Sequence, residues 1–422
     1  MPYQNDTGMN NRLTVLMSAY ACEPGKGSEP DVGWQWACEM SKHHQVIVVT
    51  RSNNKPVIES YIANFPSSCE SLTFKYFDLN SFYIKSKKRC NWLNWYYVIW
   101  QWKVRKVILN LVAESKVDLV HHVTFASYRY PVFLKKVGVP VIWGPIGGAE
   151  KAPWSLLMHG TRWRSCIKEG VRNFTTALST RCVGMINPCT DSRGMVIAST
   201  QRTSHILKYK GIKNELMPTI GLRCVNETSS VSMPPIDNGL RLLFVGRLVV
   251  LKGVHLLIEA LSGSEITDVS LTVVGDGKER GHLEKKARRM GVGDRVEFKG
   301  HVDKDRLPAV YANHHILVAP SLYESGGYTV LEAFMIQRPA IVTDVGGLAM
   351  SVNESCGIRV PTGSAKSVIE GLKKAIQFYQ DSPELIAQHG AYGKTRCAEI
   401  YSWKSKGLRM AQLYEEAVSG AE

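Results

Sequence analysis

Pro320-Ser-Leu-Tyr-Glu324-Ser-Gly326-Gly327-Tyr-Thr329-Val-Leu-Glu332-Ala-Phe is the stretch that decides the fold. It follows an apolar run of strand type, His315–Pro320, and leads into a stretch with helical patterning. Two adjacent glycines between a strand and a helix let the backbone approach a phosphate closely. Carboxylates flank the loop at Glu324 and Glu332, and an ionised carboxylate accepts hydrogen bonds from sugar hydroxyls, often two at once. Taken alone, the segment reads equally as a loop glutamate and a helix-start glutamate facing water.

Upstream, the run Leu240–Gly246 ends in Gly246-Arg247, and Lys252-Gly253 opens another helix-type stretch. Two cations beside the free N–H groups of a helix start make an anion site suited to a diphosphate. Further strand-type runs lie at Ser270–Gly275, Arg295–Lys299 and Pro339–Thr343. In the first half the strand candidates are Thr14–Ser18, Gln45–Thr50, Leu72–Phe77, Asp118–Val123, Pro140–Trp143 and Met195–Ala198, with helical patterns at Trp34–Lys42 and Trp92–Glu114. This alternation predicts an α/β fold with parallel sheets. The polar, Pro/Ser/Asn-rich segment Asn226–Gly239 interrupts it and reads as a boundary. Two Rossmann-like domains are expected, residues 1–225 and 240–400, facing across a cleft. A final helix over about 403–422, opening at the N-cap residue Ser402, is expected to pack back on the first domain.

At 422 residues, with 44% hydrophobic and 21% charged side chains, the chain has the material for two cores. Its formal net charge of +15 favours an anionic partner. The ten cysteines include no Cys-x-x-Cys pair, so free thiols in a reducing compartment are expected, with no metal site. The apolar run Leu13–Cys22 reads as a first strand, not a signal peptide, and no run approaches the ~20 apolar residues of a transmembrane helix.

Gly246-Arg247…Lys252-Gly253, Gly275-Asp-Gly277, Phe298-Lys-Gly300 and the Glu-x7-Glu loop form an ordered series over roughly residues 240–360, continuing to Tyr401-Ser402-Trp403. This series resembles family 4 of the retaining glycosyltransferases, which has the GT-B fold. The resemblance implies that Arg247 and Lys252 neutralise the donor diphosphate. It implies that Glu324, with the Gly326–Gly327 backbone, holds the donor sugar, and that Glu332 binds the ribose. Gly246, Gly275, Gly300, Ser325, Tyr328 and Thr329 are placed by it against the substrate. It implies no metal or other cofactor; the co-substrate would be a nucleotide-diphosphate sugar, with UDP or GDP as the carrier.

The first domain matches less closely. Its loop Glu23-Pro-Gly25-Lys-Gly27-Ser28-Glu29 stands where the family covers the donor phosphates, with Gly27-Ser28 in place of two adjacent glycines. His121-His122 end a strand where the family has a histidine near the reacting centre. By that resemblance His121 joins Arg247, Lys252 and Glu324 as catalytic and His122 contacts substrate, although a strand histidine is commonly a satisfied core residue. Gly144-Pro-Ile-Gly147-Gly148-Ala-Glu150 reads as a glycine-rich strand exit lining the acceptor side. The expected acceptor is a hydroxyl of a saccharide or lipid-linked saccharide, in cell-surface polysaccharide or lipopolysaccharide assembly, on the cytoplasmic side of the membrane.

Residues 79–113 hold no acid but seven basic side chains, interleaved with Trp92, Trp95, Trp100 and Trp102. The span 83–110 therefore has two readings: an interfacial helix on an anionic membrane surface, or a domain helix with its aromatics in the core. Other functions explain less. A dinucleotide oxidoreductase needs a Gly-x-Gly-x-x-Gly that Gly25, Gly27 and Gly33 do not make. A nonhydrolysing sugar-nucleotide epimerase needs an acid/base pair that no motif supplies. A non-enzymatic membrane- or nucleic-acid-binding protein accounts for the charge alone, and no nucleic-acid partner is expected.

Overall fold

The strands at the middle of each sheet are short apolar runs buried on both faces, as parallel sheets covered by helices require. The computed structural model describes residues 12–84, 93–125, 127–159, 163–189, 193–223, 232–236 and 239–420. In the first half, β1 (Thr14–Ala19), α1 (Ser28–Ser41), β2 (Gln45–Thr50), α2 (Lys55–Asn64), β3 (Leu72–Tyr76), α3 (Leu93–Glu114), β4 (Leu119–Thr124) and β5 (Val141–Ile146) follow in order. Then come α4 (Trp154–Met158), α5 (Trp163–Ile186), β6 (Met195–Ala198), α6 (Gln201–Tyr209) and β7 (Asn214–Leu216). These seven strands form one parallel sheet in the order β3-β2-β1-β4-β5-β6-β7.

The second half comprises β8 (Leu240–Val245), α7 (Val254–Leu261), β9 (Val269–Val274), α8 (Arg280–Arg289), β10 (Val296–Gly300), α9 (Leu307–Ala312), β11 (Ile316–Ala319) and α10 (Tyr328–Met335). It closes with β12 (Ala340–Thr343), α11 (Gly346–Ser351), β13 (Gly357–Val360), α12 (Ala365–Asp381), α13 (Glu384–Arg396) and α14 (Trp403–Ser419). Its parallel sheet runs β10-β9-β8-β11-β12-β13. Both sheets change direction beside their first strand, at β1/β4 and at β8/β11. In an open parallel sheet, a ligand crevice opens beyond the carboxyl ends of the strands at that switch point. The segments leaving β8 and β11 are the ones that carry Arg247, Lys252 and Glu324.

The architecture is two Rossmann-like domains in the GT-B arrangement, as the alternation predicts. Several boundaries differ from the sequence reading. Helix α1 begins at Ser28, not Trp34, because the Gly-rich loop ends at Gly27, which serves as N-cap. Strand β5 runs on through Gly144-Pro145 to Ile146. Strands β7 and β13, short and at sheet edges, were not legible as elements, and helix α5 was not singled out although its apolar residues follow a helical repeat. The Asn226–Gly239 boundary lies largely outside the described residues, as do residues 85–92 of the basic aromatic stretch.

The chain crosses between the domains near Met217–Arg223 and returns near Tyr401–Trp403. The crossings pair: the Leu222 N–H donates to the Tyr401 carbonyl (2.7 Å), and the Trp403 N–H donates to that of Leu222 (3.0 Å). Helix α14 is capped by the Ser402 hydroxyl, which accepts from the Ser405 N–H at 3.0 Å. It packs on α1, with the Trp36 and Trp403 rings edge to face at 5.2 Å and Met410 and Tyr414 in the first domain's core. Helix α4 makes a second bridge, since Leu156 and Leu157 are buried in the second domain's core and His159 stands 2.9 Å from Glu259 of α7.

Of the basic aromatic stretch, α3 buries Tyr96, Tyr97 and Trp100 but leaves Trp95 and Trp102 68% and 57% exposed. The core reading thus describes one face of the helix. Among the described residues, no helix is long and apolar enough to cross a membrane.

Candidate functional site

Three strand exits lie side by side at the carboxyl edge of the second sheet. The Gly246 N–H donates to the Val274 carbonyl (3.0 Å), and the Gly275 N–H to the Gly300 carbonyl (2.7 Å). Arg247 follows, its side chain exposed and, among the described residues, in no ion pair. Residues Val250–Lys252 form a single 3-10 turn that Gly253 ends in the left-handed region, with φ 67°. A Cβ at Gly253 would stand 1.9 Å from the Pro320 carbonyl oxygen, so glycine is required for the exits of β8 and β11 to touch. That contact brings two sequence clusters together: the Lys252 ammonium donates to the Glu324 carboxylate in a half-buried ion pair.

After Glu324 the exposed Ser325 and the pair Gly326-Gly327 lead into α10. Gly327 is the N-cap in the left-handed region (φ 84°), a conformation that costs a side-chain-bearing residue free energy. Tyr328 and Thr329, both partly exposed, form the first turn, so its free N–H groups meet the crevice beside Lys252. Glu332 lies one turn on. Burial pushes its carboxyl above the usual range, opposed by the Tyr311 hydroxyl, which donates to it at 2.8 Å. Tyr311 lies on α9, in no motif with the loop, so sequence reasoning missed it as a partner. The arrangement can do two things chemically. It offers paired and free cations with helix N–H groups to an anion, and two carboxylates to hydroxyls.

The first domain contributes the exits of β1, β4, β5 and β6. Gly27, with φ 71°, and Ser28 open α1 at the first of these, the Ser28 side chain lying outside the described atoms. Gly147 bridges to Ser127, and Gly148 sits against the Ser127 hydroxyl.

The two histidines are placed differently from the reading that resemblance implied. His121 and His122 are fully buried on opposite faces of β4. His121 Nδ1 stands 2.5 Å from the Tyr414 hydroxyl and Nε2 2.8 Å from the Gly144 carbonyl. His122 Nδ1 stands 3.1 Å from the Ser18 hydroxyl, and its Nε2 3.2 Å from Tyr97. Burial lowers the His121 pKa to about 4 and that of His122 to about 3. Both rings are satisfied in the core, because β4 is a central strand covered by α14 on one side and α3 on the other. Neither faces the cleft in this structure.

Comparison with known proteins agrees with the motif series. Residues 227–395 match the family model described as glycosyl transferases group 1. Alpha-D-kanosaminyltransferase of Streptomyces kanamyceticus is 30% identical over 186 residues, 43% of this chain and 47% of that protein. The likeness thus spans about half the length of that relative. Among solved structures, the sucrose-phosphate synthase of Thermosynechococcus elongatus superposes with a TM-score of 0.62 at 19% identity, covering 97% of this chain and 100% of that one. The lipopolysaccharide outer core galactosyltransferase WaaB gives a TM-score of 0.62 at 15% identity, with 97% and 100% covered. At those identities the structures establish the GT-B fold alone.

Proposed function

We propose that this GT-B chain, whose second domain matches the group 1 glycosyl transferases, moves a sugar from a nucleotide diphosphate to a hydroxyl acceptor with retention of anomeric configuration. The observation that carries the reading is the meeting of Lys252 with Glu324 beside the α10 N-terminus, at the switch point of the donor sheet. Lys252 and Arg247 meet the diphosphate and stabilise the charge that grows on it as the nucleotide leaves, without a metal ion. Glu324 and the Gly326–Gly327 backbone hold the donor sugar, and Glu332 accepts from the ribose hydroxyls. Gly246, Gly275, Gly300, Ser325, Tyr328 and Thr329 line the donor, and Gly27-Ser28 covers its phosphates from the first domain.

The reaction is a front-face displacement. The bond from the anomeric carbon to the β-phosphate oxygen breaks, and a bond from that carbon to the acceptor oxygen forms on the same face. The acceptor's proton passes to the departing phosphate. Closure of the cleft excludes water and aligns the acceptor oxygen. UDP or GDP is the proposed carrier, and a saccharide or lipid-linked saccharide the acceptor. The proposed setting is lipopolysaccharide or surface-polysaccharide assembly at the cytoplasmic face of the membrane, with WaaB a neighbour in fold.

Thermal unfolding with UDP, GDP, ADP or NAD at millimolar concentration tests this reading. A ligand present at 100 times its dissociation constant adds about 2.7 kcal/mol to stability. The expected result is a rise with one nucleoside diphosphate that is lost in Arg247→Ala and weakened in Glu332→Ala. A rise with NAD alone, or with none of the four, would overturn it.

A further inference from the structure

Beside the donor loops a concavity of about 880 Å³ opens between the domains, and Arg247, Lys252 and Glu324 are not among its lining residues. From the first domain come Glu150 at the exit of β5, Arg181 of α5 and Arg202 of α6; from the second come Asp344 and Gly346. Glu150 is 5% exposed, and among the described residues neither carboxylate oxygen has a hydrogen-bond partner. A buried carboxylate without donors costs free energy that a folded chain does not normally leave uncompensated. Its aliphatic stem packs at Gly346, where a Cβ would come within 3.1 Å of the Glu150 Cγ. The neighbouring Gly347 N–H donates to the Glu324 carbonyl at 3.0 Å, so this concavity adjoins the loop proposed to hold the donor sugar.

The charge around Glu150 is of the opposite sign. Lys151, Arg181 and Arg202 are exposed, and among the described residues none of them forms an ion pair. Among the described residues the one other lining carboxylate, Asp344, already stands 3.9 Å from Arg359. The α6 N-terminus, where the Thr200 side chain accepts from the Thr203 N–H, also opens here. Unpaired guanidiniums in a concave site are the residue type that binds phosphate oxygens in a fork. A carboxylate that lacks donors binds hydroxyls.

We propose that this concavity is the acceptor site and selects an acceptor bearing a phosphate, with Glu150 accepting from the acceptor's hydroxyls and Arg181 and Arg202 holding the phosphate. The assignment rests on the sugar-transfer reading and deepens it, naming the acceptor class. A soluble sugar phosphate and the head group of a phospholipid carry the same chemistry.

Calorimetric titration of the full chain, saturated with the nucleoside diphosphate it prefers, tests the assignment. The probes are glycerol 3-phosphate, glycerol, and vesicles containing phosphatidylglycerol. Binding of either phosphate-bearing probe with no binding of glycerol is the expected result. It should weaken about tenfold or more in Arg181→Ala/Arg202→Ala, as loss of charge-assisted contacts implies, and fall with salt. Glu150→Gln should reduce binding of the phosphate-bearing probe in the same assay. Binding of glycerol 3-phosphate over vesicles marks a soluble acceptor, and the reverse a lipid-borne one; both support the site. No binding of either, or binding unchanged in the double variant, overturns it. The nucleoside diphosphate's thermal shift, measured on the same variants, reports folding and donor binding separately, so a failed donor reading cannot be mistaken for a failed acceptor site.

Discussion

His121 carries the most legible prediction at the level of single residues. Its ring is buried neutral, with its pKa lowered to about 4 by desolvation, while in the unfolded chain a histidine titrates near the ordinary 6.5. Between those values the unfolded state binds the extra proton, so stability falls as the pH drops from about 6.5 to about 4 and stops falling below that. The contribution of this one group is about 3 kcal/mol by proton linkage. His122, lowered to about 3, acts in the same direction. Thermal melts from pH 7.5 to 4 should show this acid-side loss, shallower in His121→Gln than in the parent chain. A parent curve flat over that range would argue that the rings stay reachable by protons in the fold. The sequence named these histidines but not their surroundings, since Tyr414 lies 293 positions from His121. By contrast, Lys252 and Glu324 were legible as separate motifs, and only the contact of Gly253 with Pro320 turns them into one pair.

Among the elements, α3 and α5 both show water a face that helices normally bury. On α3 the exposed Trp95 and Trp102 lie seven residues apart, on one stripe with Lys106, and Lys103 stands 4.5 Å over the Trp102 ring. On α5 the exposed apolar residues Ile167, Val171, Phe174 and Leu178 follow a helical repeat, 55%, 60%, 71% and 54% accessible. Indoles with cations suit an anionic membrane interface, and the bare stripe suits apolar burial. Sedimentation with phosphatidylglycerol vesicles should therefore capture the protein, less so at high salt. Trp102→Glu should release it if α3 is the contact, and Phe174→Glu if α5 is. Capture unaffected by either substitution, or no capture at low salt, would remove the membrane surface from the proposed partners. The basic composition of residues 79–113 pointed to α3 alone, because composition registers charge and aromatics but cannot say which apolar side chains find a core.

The whole molecule depends on a double crossing in which a lysine is the central group. Lys406 is 2% exposed; its ammonium donates to the Thr219 and Ile220 carbonyls at 3.2 and 2.9 Å and lies 4.1 Å over the Trp403 ring. Lys406→Met would leave both carbonyls without that donor, at a cost of about 1–3 kcal/mol for each one left unsatisfied. The melting temperature should fall accordingly, whereas the nucleoside diphosphate's stabilising effect should persist, since Lys406 holds the crossing and reaches the donor loop only through Ile220, which packs against Gly326. A loss of nucleotide binding without a fall in stability would instead place Lys406 in the donor machinery. The sequence by itself determined the two α/β halves, the order of the donor motifs and the N-cap at Ser402. Those features are written in local period, glycine spacing and capping chemistry within a few residues of one another. Only the tertiary structure decided that the β4 histidines belong to the core, that the first-domain partner of α14 is α1, and that Glu150 stands among cations with no hydrogen-bond partner among the described residues. Each of those depends on segments distant in the chain meeting in space, and burial and pairing are properties of that meeting.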